Sequence, residues 1–210
     1  MCLICSDAEL SFKDLIHYPK IEIDRGSFTL LTGKSGCGKS TYLKMLNRTV
    51  LPERGSIFYE GRNIEEYPVL AYRREVLLVP QEVFLTEGTV RENFDFYTNA
   101  RGTPRLSDGE IIRFLKICCS EFSPADLCTK MSGGERQRIF LAIFMSFAGK
   151  VLLLDEPEAS LDEKTAGELM ENIRSYCRKK EITVVCVSHS TYTAERFADR
   201  WIRLGAADNE

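Results

Sequence analysis

Two segments in the carboxyl-terminal half contain consecutive apolar residues instead of alternating apolar and polar ones. They read "VLLLD" at 151–155 and "TVVCV" at 183–187. Strands that are covered on both faces have this pattern, whereas a strand with one wet face alternates apolar and polar side chains. Stretches typical of helices separate such strands, and this alternation predicts an α/β fold with a mostly parallel sheet and βαβ crossovers.

The same pattern divides the rest of the chain into further elements. It predicts strands at "CLIC", "IEID", "FTLL", "GSIFYEG", "VLLVP" and "RWIRL", and helices over about 39–48, 134–148, 163–179 and 193–198. The segment over approximately 82–134 has turn signals around a helix-like stretch, "GEIIRFLKICC", and is interpreted as a mainly helical insert. There is no internal repeat, and one domain over residues 1–210 is expected.

Composition narrows the class of protein. Hydrophobic residues make up 44% of the 210 positions and charged residues 28%, as in ordinary globular domains. The net charge of −3 disfavours a nucleic-acid binder, which usually has a basic face. The longest apolar run, 139–149, is shorter than the roughly 20 residues of a membrane-spanning helix. Eight cysteines without a secretory signal favour a reducing cytoplasm, and the lone "CLIC" pair lacks partners for a metal site.

A glycine-rich loop, "GKSGCGKST", follows the predicted strand "FTLL" and precedes a predicted helix. It matches G-x-x-x-x-G-K-[ST], in which backbone N–H groups converge on phosphate oxygens that larger side chains would obstruct. The helix amino terminus adds its positive dipole end. We expect Lys39 to reach the β- and γ-phosphates and the Ser40 hydroxyl to bind Mg²⁺. The residues assigned to phosphate binding are Gly33, Lys34, Ser35, Gly36, Cys37, Gly38, Lys39, Ser40 and Thr41.

Polar side chains stand at the carboxyl ends of three predicted strands. Asp155 ends "VLLLD" with Glu156 beside it, and ligands of open α/β sheets bind at this edge. We expect Asp155 to contact Mg²⁺ and Glu156 to act as general base for an attacking water. Gln81 ends "VLLVPQ" and is expected to touch Mg²⁺ or that water. His189 ends "VVCVSH" on the same edge, which makes it a further catalytic candidate.

Taken together, these residues resemble the ATP-binding cassette (ABC) family of ATPases over nearly the whole chain. A bare phosphate loop also occurs in kinases and GTPases, whereas "SGGERQR" singles out this family. The motifs are Walker A at 33–40, the Q-loop Gln81, the signature "MSGGE" at 131–135, Walker B ending at Asp155, catalytic Glu156, the D-loop "ASLD" at 159–162 and the switch His189. The resemblance implies a RecA-like P-loop NTPase core with a mainly parallel sheet, an antiparallel β subdomain and a helical subdomain.

The resemblance also implies a partner. In this family two cassettes dimerise head to tail, and each ATP lies between the Walker A of one and the signature of the other. The signature residues implied to contact the partner's ATP are Ser132, Gly133, Gly134 and Glu135, and Asp162 belongs to the D-loop. The glycines open a helix amino terminus, which suits an anion for the same reason as Walker A does.

Two further positions near this site are the aromatic side chain for adenine and an acidic departure from the family pattern. The family stacks an aromatic side chain on adenine, and Phe12 is the candidate, with Tyr18 as its rival. Glu158 stands where the family more often has threonine, which adds negative charge near the site.

The resemblance implies a Mg²⁺-dependent ATP hydrolase that is one subunit of an ABC transporter. Transport then needs a separate membrane permease and a second cassette, and a homodimer is expected, with no nucleic acid bound. The expected location is cytoplasmic, at the inner face of the cell membrane. The insert would receive the permease in a groove formed by exposed aromatics, for which the candidates are Phe84, Phe94, Phe96 and Tyr97. The alternative, favoured for any single one of them, is packing within the insert itself.

Two other functions fit the sequence less well than transport does. A cassette that acts on nucleic acid or ribosomes usually has a long coiled coil before the signature or a second cassette in the chain. The segment between Ser40 and Ser132 has no sustained heptads, and the acidic composition disfavours this alternative. An adaptor with a dead site is disfavoured because the residues expected to bind and hydrolyse ATP are all present, namely Lys39, Asp155, Glu156 and His189.

Overall fold

The computed structural model describes residues 2–7, 10–12, 16–188 and 196–205, and within these ranges the chain forms six α-helices and eleven β-strands. The helices are α1 (Lys39–Leu46), α2 (Val69–Glu75), α3 (Val90–Arg101), α4 (Asp108–Ile117), α5 (Gly133–Met145) and α6 (Glu163–Lys179). The strands are β1 (Cys2–Ser6), β2 (Ser11–Phe12), β3 (Ile16–His17), β4 (Ile21–Asp24), β5 (Phe28–Thr32), β6 (Ile57–Tyr59), β7 (Arg62–Asn63), β8 (Val76–Val79), β9 (Val151–Asp155), β10 (Thr183–Val187) and β11 (Arg200–Arg203). The helix predicted over 193–198 lies mostly outside the described residues.

Five strands form the parallel sheet that the apolar pattern predicted, in the order β11-β5-β10-β9-β8. Val187 of β10 lies opposite both Leu31 of β5 and Asp155 of β9. On the other side of β9, Val79 of β8 lies opposite Leu154. The strands therefore end at one common edge of the sheet, where ligands of such folds bind.

Alternate residues of the central strands point into two different cores, which explains their unbroken apolar pattern. Leu152 and Leu154 pack on the side of α5, α6 and the α3–α4 region. Val151 and Leu153 pack on the opposite side, with α1 and the antiparallel sheet. Because both faces of each strand are covered, apolar side chains fill most positions along it until the strand ends.

The antiparallel sheet has the strand order β4-β1-β6-β7 and packs on the α1 side of the parallel sheet. The neighbouring strands β4 and β5 lie in different sheets, although only a short turn joins them. A separate two-stranded hairpin, β2–β3, precedes β4 and pairs Ser11 with His17 and Phe12 with Ile16. The chain thus combines the parallel and antiparallel sheets that its sequence pattern and family resemblance predicted.

The segment predicted to be helical contains α3 and α4. Each begins with a capping box, formed by Thr89 with Glu92 and by Ser107 with Glu110, so their first turns are stabilised locally. Their buried side chains share one hydrophobic core with α5. The boundary at 82–134 stays a prediction, because packing is continuous across it.

The longest apolar run of the sequence divides between α5 and the turn before β9. The side chains over 139–143 are buried in the core between α5 and the sheet. Across the part of the chain that the structure describes, no helix combines the length and the apolar composition needed to span a bilayer.

Candidate functional site

The glycine-rich loop leaves β5 and runs into α1 at the carboxyl edge of the parallel sheet. Lys39 begins α1 and is 6% exposed, and its ammonium group turns back over the loop. Its Nζ donates to the carbonyl oxygens of Gly33 at 2.9 Å and Lys34 at 3.1 Å. A lysine charge is therefore held at the loop, where it suits phosphate oxygens.

Ser40 and Asp155 connect this loop to β9. The Ser40 hydroxyl donates to Oδ1 of Asp155 at 2.9 Å, so the two side chains form one oxygen-rich site. Burial raises the pKa of the Asp155 carboxyl above its ordinary value, and the charge of Glu156 adds to this effect. The Ser40 hydrogen bond acts in the opposite direction. A poorly solvated carboxylate beside a hydroxyl gains from a hard dication, so this donor set fits Mg²⁺.

Gln81 and Glu156 come together although 75 positions separate them. The Gln81 amide donates through Nε2 to Oε2 of Glu156 at 2.8 Å. The Glu156 backbone has a left-handed φ of 52°, and its N–H donates to the carbonyl of Val187 at 3.0 Å. A non-glycine residue in that conformation is held by its surroundings, and such residues concentrate at functional sites.

The second glycine pair, Gly133–Gly134, opens α5, and Ser132 is the N-cap of this helix. The Ser132 hydroxyl and backbone N–H both donate to Oε2 of Glu135, at 2.8 and 2.7 Å, which lowers the pKa of the Glu135 carboxyl. Ser132 and Gly133 are exposed to solvent. A helix amino terminus that is open to solvent and begins with glycine suits an anion supplied from outside.

The structure separates these residues into two groups. Within the described residues, hydrogen bonds join Ser40 to Asp155 and Gln81 to Glu156, but none joins Ser132–Glu135 to the loop at 33–41. The signature group instead meets the D-loop, because a Cβ at Gly134 would lie 2.8 Å from the carbonyl oxygen of Ser160. Only glycine permits this close approach.

Comparison with known proteins identifies the family to which this arrangement belongs. A model of the family described as ABC transporter matches residues 16–159, well over half of the chain. The chain belongs to the ABC transporter family of ATP-binding cassettes.

Two relatives cover most of this cassette. "ABC transporter I family member 17" of Arabidopsis thaliana is 36% identical over 180 residues, which are 85% of this chain and 68% of the relative. "Probable iron export ATP-binding protein FetA" of Escherichia coli K12 is 38% identical, over 78% of this chain and 73% of the relative. The dimeric structure of MJ0796, a bacterial ABC transporter cassette, has a TM-score of 0.83 at 22% identity, over 96% of this chain and 94% of that one. At that identity the structural likeness shows the fold.

The structure describes two of the three remaining residues predicted for this site, Asp162 and Phe12, but not His189. Asp162 is the N-cap of α6, where its carboxylate accepts from the backbone N–H and the hydroxyl of Thr165, and these bonds lower its pKa. His189 lies outside the described residues. Phe12 lies on β2 and packs partly against the core of the α1 side, and its stacking on adenine stays a prediction.

Tyr18 is not available to stack on a base. It is 2% exposed, its ring packs against Tyr42, and its hydroxyl donates to the carbonyl of Gly38 at 3.0 Å. The rival assignment for adenine stacking is therefore wrong, since neither ring face is open to a ligand.

Two polar contacts of this ABC site were missed by the sequence analysis. Gln137 of α5 donates through Nε2 to the carbonyls of Glu156 at 3.2 Å and Pro157 at 3.1 Å. Ser188, at the end of β10, donates to the carboxylate of Glu158, which is 8% exposed. Neither residue carries a local signal, because its partner lies about 20 or more positions away along the chain.

Replacing Gln137 tests its role as the anchor of the Glu156 loop. Gln137→Leu removes both bonds while it keeps the side-chain volume similar, so two carbonyls lose a donor. We expect the free energy of unfolding to fall by about 1–3 kcal/mol. We also expect the rate of ATP hydrolysis to fall about 10-fold or more, because the loop that carries Glu156 shifts. Urea unfolding and phosphate release measure the two effects, and an unchanged rate would show that Gln137 only stabilises the fold.

Proposed function

We propose that this cassette is the ATP-hydrolysing subunit of a transporter, which dimerises head to tail around two ATP molecules and drives a separate membrane permease. The observation that carries the proposal is the hydrogen-bonded set at one sheet edge, in which Ser40 meets Asp155 and Gln81 meets Glu156. Family membership and the printed names of the relatives support it.

The proposed chemistry follows from the charges at this edge. Lys39 places a positive charge where the phosphates bind, and the amides of the loop and of the α1 amino terminus add further donors. Ser40, Asp155 and Gln81 would hold Mg²⁺, which would neutralise charge on the phosphate oxygens. Glu156 takes the proton of the attacking water, and Gln81 holds its carboxylate in place. His189 completes the proposed catalytic set.

The signature completes the site from the second copy. Ser132, Gly133 and Gly134 lie at an exposed helix amino terminus, apart from the chain's own phosphate loop. In the proposed homodimer they cap the γ-phosphate of the partner's ATP. Glu135 holds Ser132 in place by hydrogen bonds, and Asp162 belongs to the D-loop. ATP therefore holds the dimer together, and its hydrolysis releases it.

The metal requirement tests the catalytic part of the proposal. Phosphate release by the purified chain should need Mg²⁺ and stop in EDTA. Asp155→Asn should raise the Mg²⁺ concentration for half-maximal rate by about 10–100-fold, since the site loses its anionic ligand. Asp108→Asn, at an exposed carboxylate of α4, is the matched control and should leave this concentration unchanged. Equal Mg²⁺ dependence in all three proteins would contradict the assignment of Asp155.

A small aromatic surface beside the Q-loop is the proposed permease contact. The side chains of Phe84 and Phe96 are 57% and 45% exposed, with ring centroids 6.0 Å apart. Tyr97 joins them to the core, since its hydroxyl donates to the carbonyl of Phe84 at 2.8 Å and its ring packs on α5. Phe94 does not belong to this surface: it is 1% exposed, so its prediction as an exposed aromatic was wrong.

This surface has a direct link to the signature helix. Arg136 of α5 donates to the carbonyl of Leu85, next to Phe84, and to the carbonyl of Cys128. A shift of the Q-loop segment therefore acts on α5, the helix that Ser132 caps. This gives the proposed coupling between nucleotide and permease a path through hydrogen bonds. The proposed location, at the cytoplasmic face of a membrane, depends on that permease.

Co-expression with a multi-helix membrane protein encoded beside this gene tests the coupling. We expect the two proteins to co-purify in detergent, and Phe84→Asp to remove the association by placing a charge on the apolar contact. Trp201→Asp, at a 55% exposed aromatic of β11, should leave it intact. Phosphate release by both variants should stay near the original rate. Equal loss of co-purification in both variants, or no loss in either, would contradict this contact. The absence of such a neighbouring gene would favour a cassette that is not coupled to transport.

A further inference from the structure

The hairpin β2–β3 is attached to the phosphate loop by one buried tyrosine. Tyr18 directly follows β3, and its hydroxyl donates to the carbonyl of Gly38 at 3.0 Å. The same hairpin carries Phe12, the proposed adenine platform, on its other strand. One hydrogen bond thus joins the hairpin to the residue before Lys39.

The attachment is a close one. Gly38 is the N-cap of α1 with a left-handed φ of 94°. A Cβ at this position would lie 2.6 Å from the Tyr18 hydroxyl and 2.8 Å from Cγ2 of Ile16 on β3. The hairpin therefore packs directly on the backbone of the loop, and only glycine allows both the conformation and the contact.

The Tyr18 bond is not needed to form the loop itself. The Gly38 carbonyl also accepts the backbone N–H of Tyr42 at 2.8 Å, which is the ordinary first bond of the helix. What Tyr18 adds is the connection to the hairpin. Since burial raises the pKa of the Tyr18 hydroxyl, it remains a donor throughout the physiological pH range.

The ring of Tyr18 packs against Tyr42 of α1. The two ring centroids lie 5.2 Å apart. The Tyr42 hydroxyl donates to Oγ of Ser6 at 3.3 Å, and this oxygen accepts the backbone N–H of Ile21 at 3.2 Å. Tyr18 is thereby braced against α1 and the antiparallel sheet.

We propose that Tyr18 is a positioning residue that holds the adenine platform at a set distance from the phosphate loop, so that base and triphosphate bind as one ligand. The proposal rests on the proposed ATP site and on the predicted stacking of adenine on Phe12. Two contacts on one ligand reinforce each other only when their separation is maintained, because otherwise each must be ordered at its own entropic cost.

Tyr18→Phe tests this, because it keeps the ring and its packing and removes only the hydroxyl. Affinities for ATP and for inorganic tripolyphosphate are measured with Mg²⁺. We expect the Kd for ATP to rise about 5-fold, which is the range for one lost hydrogen bond, while the Kd for tripolyphosphate changes less than about 2-fold. An equal weakening for both ligands, or an unchanged Kd for ATP, would overturn the proposal.

Tyr72→Phe is the matched control. Tyr72 is equally buried, and its hydroxyl donates at 2.7 Å to the carbonyl of Leu46 at the other end of α1. It should lower the urea midpoint as Tyr18→Phe does, yet keep the preference for ATP over tripolyphosphate. An equal loss of that preference in Tyr72→Phe would assign the effect to general destabilisation and sink the proposal.

Ile16→Ala tests the same attachment from its packing contact, in case Tyr18→Phe folds poorly. It should also weaken the binding of ATP more than that of tripolyphosphate. An unchanged preference for ATP over tripolyphosphate would count against the proposal. If the original protein fails to bind ATP at all, the proposed function itself is wrong. If instead the original protein binds ATP and neither variant loses ATP affinity selectively, the proposed role of Tyr18 is wrong while the proposed function stands.

Discussion

Glu156→Gln is expected to slow ATP hydrolysis by about 10²–10⁴-fold, because an amide cannot take the proton of the attacking water. ATP affinity should remain, since the phosphate loop and Lys39 are untouched. The geometry around residue 156 should also survive. A glutamine can accept the bond from Gln81 through its carbonyl oxygen, and the backbone bond to Val187 is unaffected.

The arrested protein should accumulate as an ATP-bound dimer. Hydrolysis is what releases the partner in the proposed cycle, so blocking it leaves ATP between the two cassettes. Size-exclusion chromatography with ATP and Mg²⁺ measures the dimer, and single-turnover phosphate release measures the rate. Loss of hydrolysis with only monomer present would contradict the ATP-held dimer.

Glu158→Gln is the control for charge. This carboxylate belongs to the same loop, is 8% exposed and accepts a hydrogen bond from Ser188. The substitution changes the local charge by the same amount without touching the proposed base. We expect its rate to stay within about 10-fold of the original, as for a loss outside proton transfer. Equal losses in the two variants would point to the summed charge of the loop instead of a base at Glu156.

Ser132→Arg is expected to reduce hydrolysis by at least about 100-fold, because a bulky cation replaces the donors that cap the partner's γ-phosphate. Binding of ATP to the monomer should change less than about 2-fold, since a phosphate loop forms the nucleotide contact within one chain. Fluorescent-nucleotide titration at low protein concentration measures this binding separately from dimerisation. Equal loss of binding would show that the signature serves its own chain's nucleotide.

The chain offers a matched control for Ser132 in Ser107. Both serines are exposed N-caps, and each exchanges hydrogen bonds with a glutamate three positions later, Glu135 or Glu110. Replacing either cap should cost about 0.5–2 kcal/mol of stability. Only Ser132→Arg should stop hydrolysis, because α4 has no proposed anion at its amino terminus. If Ser107→Arg stops it as well, loss of the cap explains the result.

The contrast between these two serines shows how far sequence reasoning extends. The pattern S-x-x-E predicts a helix start at both positions, and the structure has both. The glycine pair after Ser132 predicts an anion site there and not at Ser107, because glycines leave the backbone amides open to a ligand. Features of this kind can be predicted because they depend on residues that are close together in the sequence.

Side-chain direction within the insert was harder to predict. Phe94 and Phe96 both lie on α3, and two positions along a helix turn the side chain by roughly 200°. One ring is therefore buried and the other exposed. An aromatic-rich stretch does not show which face meets the core, because that depends on where α5 lies.

The sequence by itself determined the parallel sheet, the phosphate loop, the acidic strand end and the family. Each depends on local periodicity or on a motif whose chemistry requires particular residues at short spacing. Only the tertiary structure decided which distant groups support the site: Gln137 on the Glu156 loop, Ser188 on Glu158 and Tyr18 on Gly38. Two of these three side chains, Gln137 and Tyr18, donate to backbone carbonyls. Every residue has a carbonyl, so no letter of the sequence marks the one that a remote side chain will reach.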